Sequence, residues 1–457
     1  MSRVLLGGVA PLPFEELQKN YGPGIRTWQF ARGLVQAGHE VQIVAMRVGD
    51  AYTKAEQTSR DTREGVEILR VDDHSFLKGD VVGEVIREYD PEVLVGATIY
   101  GSNALARHAG NLPLWADQFG HVMAEAQAKA ALDRDNRLLS HFWGLLEPVL
   151  RRADKFSVVS GRQRLAAIGE LGAIGRLTAE TCGYEFIEVL PCSQDPYPEP
   201  TLSAGTLRSK LVPEDAFVVL WSGSYNVWSD VDVIYRALTK AMSEEPRIHF
   251  VSTGAEVPGY DESTYQRFKA LCATSEHRQR FHLLGWRPTS EIPSIWNDAD
   301  LGVLTERAIY EGELGSKNRV VQWLAFGLPV AYNRIGDLGD LFASESLGAV
   351  FPVGDVEALS ALLVETARNP RSSRERAVVA KRYVAENLSY AATTAPLCRW
   401  VAAAERAPDA GKAPQVSSPE ERPLPTRSFA RRLVNMAPGP VRGFLRRVRS
   451  IVREGIR

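Results

Sequence analysis

The chain has 457 residues, 44% of them hydrophobic, which is too long for one ordinary domain and sufficient for two cores. A formal net charge of -2 excludes a body that wraps nucleic acid, although basic residues gather near the C-terminus. Cys182, Cys192, Cys272 and Cys398 lie far apart without C-x-x-C spacing, so a reducing cytoplasm is expected rather than a disulfide framework or zinc site. The opening MSRVLLGGVAPLPF is apolar only briefly before Pro11 and Pro13, and no later run reaches the roughly 20 residues of a spanning helix. Neither export nor membrane spanning is expected.

Arg3–Gly8 is a short apolar run ending in two glycines, as a buried parallel strand does. Trp28, Ala31, Leu34 and Val35 follow at helical spacing, Gly38 closes that helix, and Val41–Ala45 is a second strand. A strand at Val66–Val71, a helix to Glu88, and strands at Val93–Ala97, Leu112–Ala116 and Phe156–Ser160 come next, with a helical stretch over Glu125–Arg152. The proline-dense PCSQDPYPEP (Pro191–Pro200) interrupts the alternation and predicts a hinge near Asp195. A second series then begins with strand Phe217–Trp221, helix Val231–Ala241, strands His249–Ser252 and Arg280–Leu284, helix Glu291–Asn297 and strand Leu301–Leu304. Helix Val320–Phe326, strands Pro329–Tyr332 and Ala349–Phe351, and helix Val356–Thr366 complete it, before a last helix at Tyr390–Ala404.

The pattern predicts an α/β protein: two tandem Rossmann-like, doubly wound parallel-sheet domains facing a cleft. Residues 1–200 form the first and 201–388 the second, and 389–405 is a terminal helix packing back on the body. Residues 406–426 read as a disordered linker, and 427–457 as a basic amphipathic segment.

In open parallel sheets ligands bind beyond the carboxyl ends of the strands, so the loops after strands carry the candidates. Gly7–Arg26 ends in NYGPGIR, where Gly22 and Gly24 let backbone approach a ligand and Arg26 adds charge at a helix N-terminus; a surface loop with turn glycines is the alternative. In WSGSYN, Gly223 and Ser224 offer amides to a phosphate and Asn226 a hydrogen bond, although many strands end in such a turn. The segment Glu311–Arg319 sets Ser316, Lys317, Asn318 and Arg319 at a helix N-terminus. Cations there oppose the helix dipole, and an anionic ligand such as a diphosphate reconciles the two; a solvated charged turn is the alternative. In LWADQFGH, Asp117 and His121 leave a strand that faces the cleft, for a sugar hydroxyl or the reacting centre, or as satisfied core groups. Asp298-Ala-Asp300 imitates a D-x-D metal motif but falls where a helix ends before a strand, so no metal site is assigned to it.

Four segments carry a resemblance. YGPGIRTWQFARGLVQAGHEVQIV, FHLLGWRPTSEIPSIWNDADLGVL, WLAFGLPV and GAVFPVGDVEALSALLVETARNP resemble, in order, the GT-B glycosyltransferases of the retaining family 4 type, over roughly residues 1–405. The resemblance implies transfer of a sugar from a nucleotide-diphosphate sugar, with retention and no required metal or other cofactor, to a sugar or lipid-linked acceptor held by the first domain. It assigns Lys317 and Arg319, helped by Arg26 or Arg287, to the diphosphate, Gly223 and Ser224 to its backbone cradle, and Asp117 and His121 to the transferred sugar or acceptor. The family's paired glutamates fall here on Leu314 and Gln322. Gln322 can still bond a ribose hydroxyl, while Leu314 cannot serve, so Glu313 or Glu311 takes that place. The cations usual after the first strand of the second half are replaced by SGSYNVWSD. A non-catalytic sugar-nucleotide-binding scaffold and a GT-B-like epimerase are the alternatives.

Near the C-terminus Val441, Phe444, Leu445, Val448, Ile451 and Val452 share one helical face, with Arg442, Arg446, Arg447, Arg449 and Arg453 around the rest. This is the pattern of a helix lying on an anionic membrane, with calmodulin-like or nucleic-acid binding and a flexible solubilising tail as alternatives, and it predicts a cytoplasmic body held peripherally at a membrane in cell-surface polysaccharide or glycolipid synthesis.

Overall fold

The computed structural model describes residues 1–412 except 16, 18, 50, 53–57 and 196–206. The basic segment 427–457, for which a membrane-surface helix is expected, and most of the linker lie outside the described residues.

The first lobe is an eight-stranded sheet of β1 (Arg3–Ala10), β2 (Glu40–Arg47), β3 (Thr58–Arg63), β4 (Val66–Val71), β5 (Val93–Gly96), β6 (Leu114–Gln118), β7 (Lys155–Val158) and β8 (Ile187–Val189). Their order is β3-β4-β2-β1-β5-β6-β7-β8, all parallel except the β3–β4 pair. The parallel strands are near-continuous apolar runs because helices cover both faces. Leu5, Val9 and Val44 enter one core while Val4, Leu6 and Ile43 enter the other, the period-two split of a sheet buried on both sides.

The second lobe is a six-stranded parallel sheet of β9 (Phe217–Ser222), β10 (Ile248–Thr253), β11 (Phe281–Leu283), β12 (Leu301–Leu304), β13 (Val330–Asn333) and β14 (Ala349–Phe351), in the order β11-β10-β9-β12-β13-β14. The fold is therefore α/β, with parallel sheets in two domains. Near the hinge, Asp195 Oδ1 accepts from the Tyr390 amide at 2.9 Å. The helix Tyr390–Val401 then returns to the first lobe, where Gln29 donates to Thr393 at 3.0 Å and Trp400 packs on Trp115 with centroids 5.5 Å apart.

Several elements differ from the sequence reading. The stretch Glu125–Arg152 is two helices, Val122–Asp133 and Arg137–Arg152, broken at Arg134, whose φ is 54. β3 went unread because its residues, TSRDTR, are polar and mostly exposed, as an edge strand tolerates. Helices Thr98–His108, Gly161–Ala173, Ser263–Thr274, Gly336–Glu345 and Arg371–Asn387 were also unread. The start of the linker is docked rather than free: Arg406 donates to Asp154 at 2.9 Å, and Arg176 pairs with Asp409 at 2.8 Å.

Gly24 serves packing rather than a ligand. A Cβ there would sit 1.9 Å from the Pro11 carbonyl oxygen, so the helix Gly22–Gln36 can lie against the loop after β1 only with glycine. Gly24→Ala should lower stability by about 1–3 kcal/mol through overpacking. Gly144→Ala, in a helix with open space around it, should be neutral or stabilising by up to ~1 kcal/mol. Thermal unfolding of the two variants checks the contrast.

Candidate active site

Each sheet reverses its winding direction once, between β1 and β5 in the first lobe and between β9 and β12 in the second. Such switch points open crevices at the strands' carboxyl ends. The two crevices share one cavity of about 670 Å³, lined from both lobes.

Its second-lobe wall begins with the turn after β9. Gly223 has φ 103 and Gly254 has φ 83, both left-handed, and a Cβ on Gly254 would lie 2.4 Å from the Gly223 carbonyl. Two strand-end loops thus touch backbone to backbone, which glycine alone permits. The turn is held by the Gly223 amide on Thr253 O at 2.9 Å and by the Gly254 amide on Gly285 O at 2.7 Å. Arg319 crosses it. Its guanidinium lies 4.8 Å from the Trp221 ring centroid and donates to Ser224 O at 2.6 Å. Burial lowers the Arg319 pKa to about 10, which still leaves the group cationic at neutral pH. Among the described residues no carboxylate lies within ion-pair distance of it. A charge enclosed without a counter-ion is costly, and an arriving anion relieves that cost.

The helix Asn318–Phe326 starts at Lys317 with no side-chain cap, so its first amides remain available beside Ser316, Lys317 and Asn318 on the cavity wall. Lys317 itself is matched: its Nζ lies 3.1 Å from Glu306 Oε1, while Tyr332 donates to the other carboxylate oxygen at 2.6 Å. Glu311 is 5% exposed and lines the cavity with Oε2 unpartnered. Burial, then the neighbouring carboxylates Glu125 and Glu306, push its carboxyl well above the usual range against the pull of Lys317. Burial thus disfavours the charged form of Glu311, and Arg319 stands on the second-lobe wall as a cation without a carboxylate partner among the described residues.

The structure brings Gly223, Ser224, Asn226, Arg287, Lys317, Asn318, Arg319 and Gln322 onto one wall. Asn226 Oδ1 and Asn318 Nδ2 are buried without partners. Arg287 is paired with Glu291 at 2.9 Å. Asp298 and Asp300 accept backbone amides of Leu207 at 2.7 Å and Val218 at 2.8 Å, which accounts for the D-x-D pattern.

Four further expectations need correction. Arg26 and Asp117 do not face the cavity but each other: both side chains are 0% exposed, with contacts of 2.7 and 3.0 Å. His121 caps the helix Val122–Asp133, its Nδ1 accepting from the Ala124 amide at 3.1 Å. That leaves Nε2 to donate to Glu170 Oε1, 3.1 Å away. Glu313 is half exposed and pairs at 2.9 Å with Arg162 of the first lobe, away from the cavity.

Sequence reasoning missed Glu306, Glu125 and Thr98. Glu306 stands two residues beyond β12, where a lone acid after a buried strand was the available signal. Glu125, on the helix Val122–Asp133, lines the first-lobe side of the cavity and accepts from the Tyr260 hydroxyl across the cleft. Burial pushes its pKa up to about 7 against the pull of Lys129. Lys129 is buried over the Tyr260 ring, 3.2 Å from its centroid. Thr98 holds φ 66, a strained value for a β-branched residue, with its hydroxyl buried and unpartnered on the cavity wall.

Residues 216–369 match the family model described as Glycosyl transferases group 1. No curated protein sequence matches the chain. Among solved structures, sucrose-phosphate synthase from Thermosynechococcus elongatus is similar with a TM-score of 0.67 at 15% identity, covering 89% of this chain and 100% of that one. The Anabaena protein HepE in complex with UDP and glucose gives 0.63 at 16% identity, covering 88% and 100%. Trehalose-6-phosphate synthase from E. coli bound with UDP-2-fluoro glucose gives 0.63 at 11% identity, covering 89% and 100%.

Glu125 supplies a pH prediction. A carboxyl with a raised folded pKa binds its proton more tightly folded than unfolded. Its ionisation therefore costs stability as pH rises from about 4.5 to about 7. Glu125→Gln should flatten the fall of the melting temperature across that window, as read by thermal unfolding at pH 5 and pH 8. Asp117→Ala, which strands the buried Arg26 charge, should cost about 3–5 kcal/mol at any pH in that range.

Proposed function

We propose that this chain, whose second lobe is a glycosyltransferase group 1 domain and whose fold is that of the GT-B glycosyltransferases, moves a sugar from a nucleotide-diphosphate donor to an acceptor hydroxyl in the cavity between its lobes. Arg319 carries the reading: an enclosed cation without a carboxylate partner, beside uncapped helix amides and a two-glycine turn, suits a diphosphate. The UDP and UDP-sugar complexes of two similar structures support a uridine donor.

In this reading the diphosphate lies between the Gly223–Ser224 turn and the start of the helix Asn318–Phe326, with Gln322 toward the ribose. Departure of the nucleoside diphosphate develops negative charge on the leaving oxygen, which Arg319 and the helix amides stabilise without moving. Lys317 adds to this while remaining tethered to Glu306. Glu311, on the cavity wall with one carboxyl oxygen unpartnered, replaces Glu313 as the group that addresses the transferred sugar. Retention of configuration and independence from a metal belong to this proposal, since the cations and amides already supply the charge that a metal would bring. So does peripheral attachment to a membrane through the basic C-terminal segment; among the described residues no helix is long and apolar enough to cross one.

The test is turnover of a nucleotide-sugar panel by the full chain, with product configuration read by NMR. Arg319→Ala should lower kcat/KM by about 100-fold or more, the scale of losing one charge-stabilising group in a transition state. Arg319→Lys should recover part of that loss, and EDTA should leave the rate unchanged. Unaltered turnover in Arg319→Ala would sink the assignment, and donor binding with no turnover at all would point to a scaffold.

A further inference from the structure

The cavity is divided by chemistry as well as by lobe. Among the described residues, every Lys or Arg on its wall belongs to the second lobe: Arg287, Lys317 and Arg319. The first lobe offers none. Two buried cations of this lobe lie off the wall, Arg26 paired with Asp117 and Lys129 against the Tyr260 ring with its Nζ otherwise unpartnered. In their place stand Val9, Met46, Ile99, Val122 and Phe142, drawn from the ends of β1 and β2 and from three helices, and they present one apolar surface. Uncharged polar groups border it, the Thr98 hydroxyl and Asn20 Oδ1 buried and unpartnered and the Tyr21, Tyr100 and Gln194 side chains beside them, and the Glu125 carboxyl is its one acid among the described residues.

We infer that the acceptor bound against the first lobe is an uncharged hydroxyl compound carrying an apolar group, such as an alkyl or aryl glycoside, and not a phosphorylated sugar. The inference rests on the proposed transferase reading for the identity of the other half-site. A phosphate placed here would be desolvated against Met46 and Phe142 with no cation to meet it, and beside a carboxyl whose ionisation would repel it. A hydroxyl placed here satisfies Thr98 Oγ1, which otherwise forfeits a hydrogen bond in a buried site. An alkyl or aryl group on the same molecule covers the apolar wall. Anionic acceptors and apolar acceptors therefore part company at this wall, whichever donor the second lobe takes.

Isothermal titration of the full chain, saturated with UDP, against octyl glucoside below its micellar concentration, 4-nitrophenyl glucoside, glucose and glucose 6-phosphate tests the inference. Both glycosides should bind at least about 10-fold more tightly than glucose or glucose 6-phosphate, the scale of burying a few methylene groups. A gain with the octyl compound alone assigns an alkyl group, and a gain with the nitrophenyl compound alone an aryl one. Val122→Asp, which places an acid on the first turn of a helix where it is tolerated, should remove the preference while UDP binding reports an intact fold. Thr98→Val should weaken the glycosides several-fold with the apolar wall unchanged. Tighter binding of glucose 6-phosphate, equal binding of all four, or indifference to Val122→Asp overturns the inference. If no donor is turned over yet the glycosides bind in a Val122-dependent manner, the transferase reading fails while the first-lobe wall's preference for an uncharged ligand with an apolar group stands. If turnover occurs with sugar phosphates preferred, the reverse holds.

Discussion

The buried pair of Arg26 and Asp117 is the interaction on which the first lobe's side of the cavity depends. Arg26 stands in the first turn of the helix Gly22–Gln36, and Asp117 near the end of β6. The guanidinium also donates to Gln29 at 3.0 Å, Pro191 O at 3.1 Å and Leu190 O at 2.9 Å, so its donors are spent on protein. Asp117 in turn accepts from the Ser157 hydroxyl at 2.6 Å and the Thr98 amide at 3.3 Å. One ion pair therefore joins the glycine loop, two parallel strands, the strained Thr98 turn and the chain leaving for the second lobe. Burying two charges is worthwhile only when geometry and extra hydrogen bonds are this complete. The pair's value lies less in stability than in position, because it fixes the loops that carry Thr98, Phe119 and Tyr21 onto the cavity wall.

The second lobe solves a different electrostatic problem with the opposite device. There Arg319 is left without a carboxylate among the described residues while Lys317 is matched by Glu306, and burial disfavours the charged form of Glu311. The site is thus charged before any ligand arrives. The energy of enclosing Arg319 is set against its stacking on Trp221 and its hydrogen bond to Ser224 O. An anion that enters finds its counter-charge already oriented, which is what electrostatic preorganisation requires.

The parallel strands were legible because a sheet covered on both faces demands apolar runs, and β4, β12 and β14 occupy Val66–Val71, Leu301–Leu304 and Ala349–Phe351 as read. Lys317 and Arg319 were legible for a related reason: cations where a helix begins contradict the local dipole and so call for a ligand. Arg26 and Asp117 were misread because the same residue types serve a ligand or each other, and a partner 91 positions away leaves no local trace. His121 shows the limit in its plainest form, since a histidine before a helix is also a capping group. Glu125 and Glu306 were passed over because a single acid on a helix or after a strand is common, and only tertiary structure turned these toward the cavity. Gly24 had the right residue type and the wrong reason: it lets backbone approach backbone rather than a ligand.

How the lobes are held bears on how ligands enter. The lobes meet through exposed polar pairs as well as through buried Val159 and the Phe119 ring packed on the second lobe's core. Arg162 meets Glu313 and Asp340 at 2.9 Å and Asp337 at 3.3 Å, with all four side chains between 38% and 50% exposed. Thr289 donates to Leu17 O at 2.8 Å, and Tyr260 to Glu125. The exposed Arg162 pairs contribute about 0–1 kcal/mol each and weaken in salt. The crossing near Asp195 and Tyr390 is, by contrast, anchored by backbone: Gln194 N donates to Leu388 O at 3.0 Å, and the Tyr390 amide to Asp195. Because Glu125 accepts from Tyr260 of the other lobe and lines the cavity with its pKa near 7, its ionisation changes both that contact and the charge of the first-lobe wall.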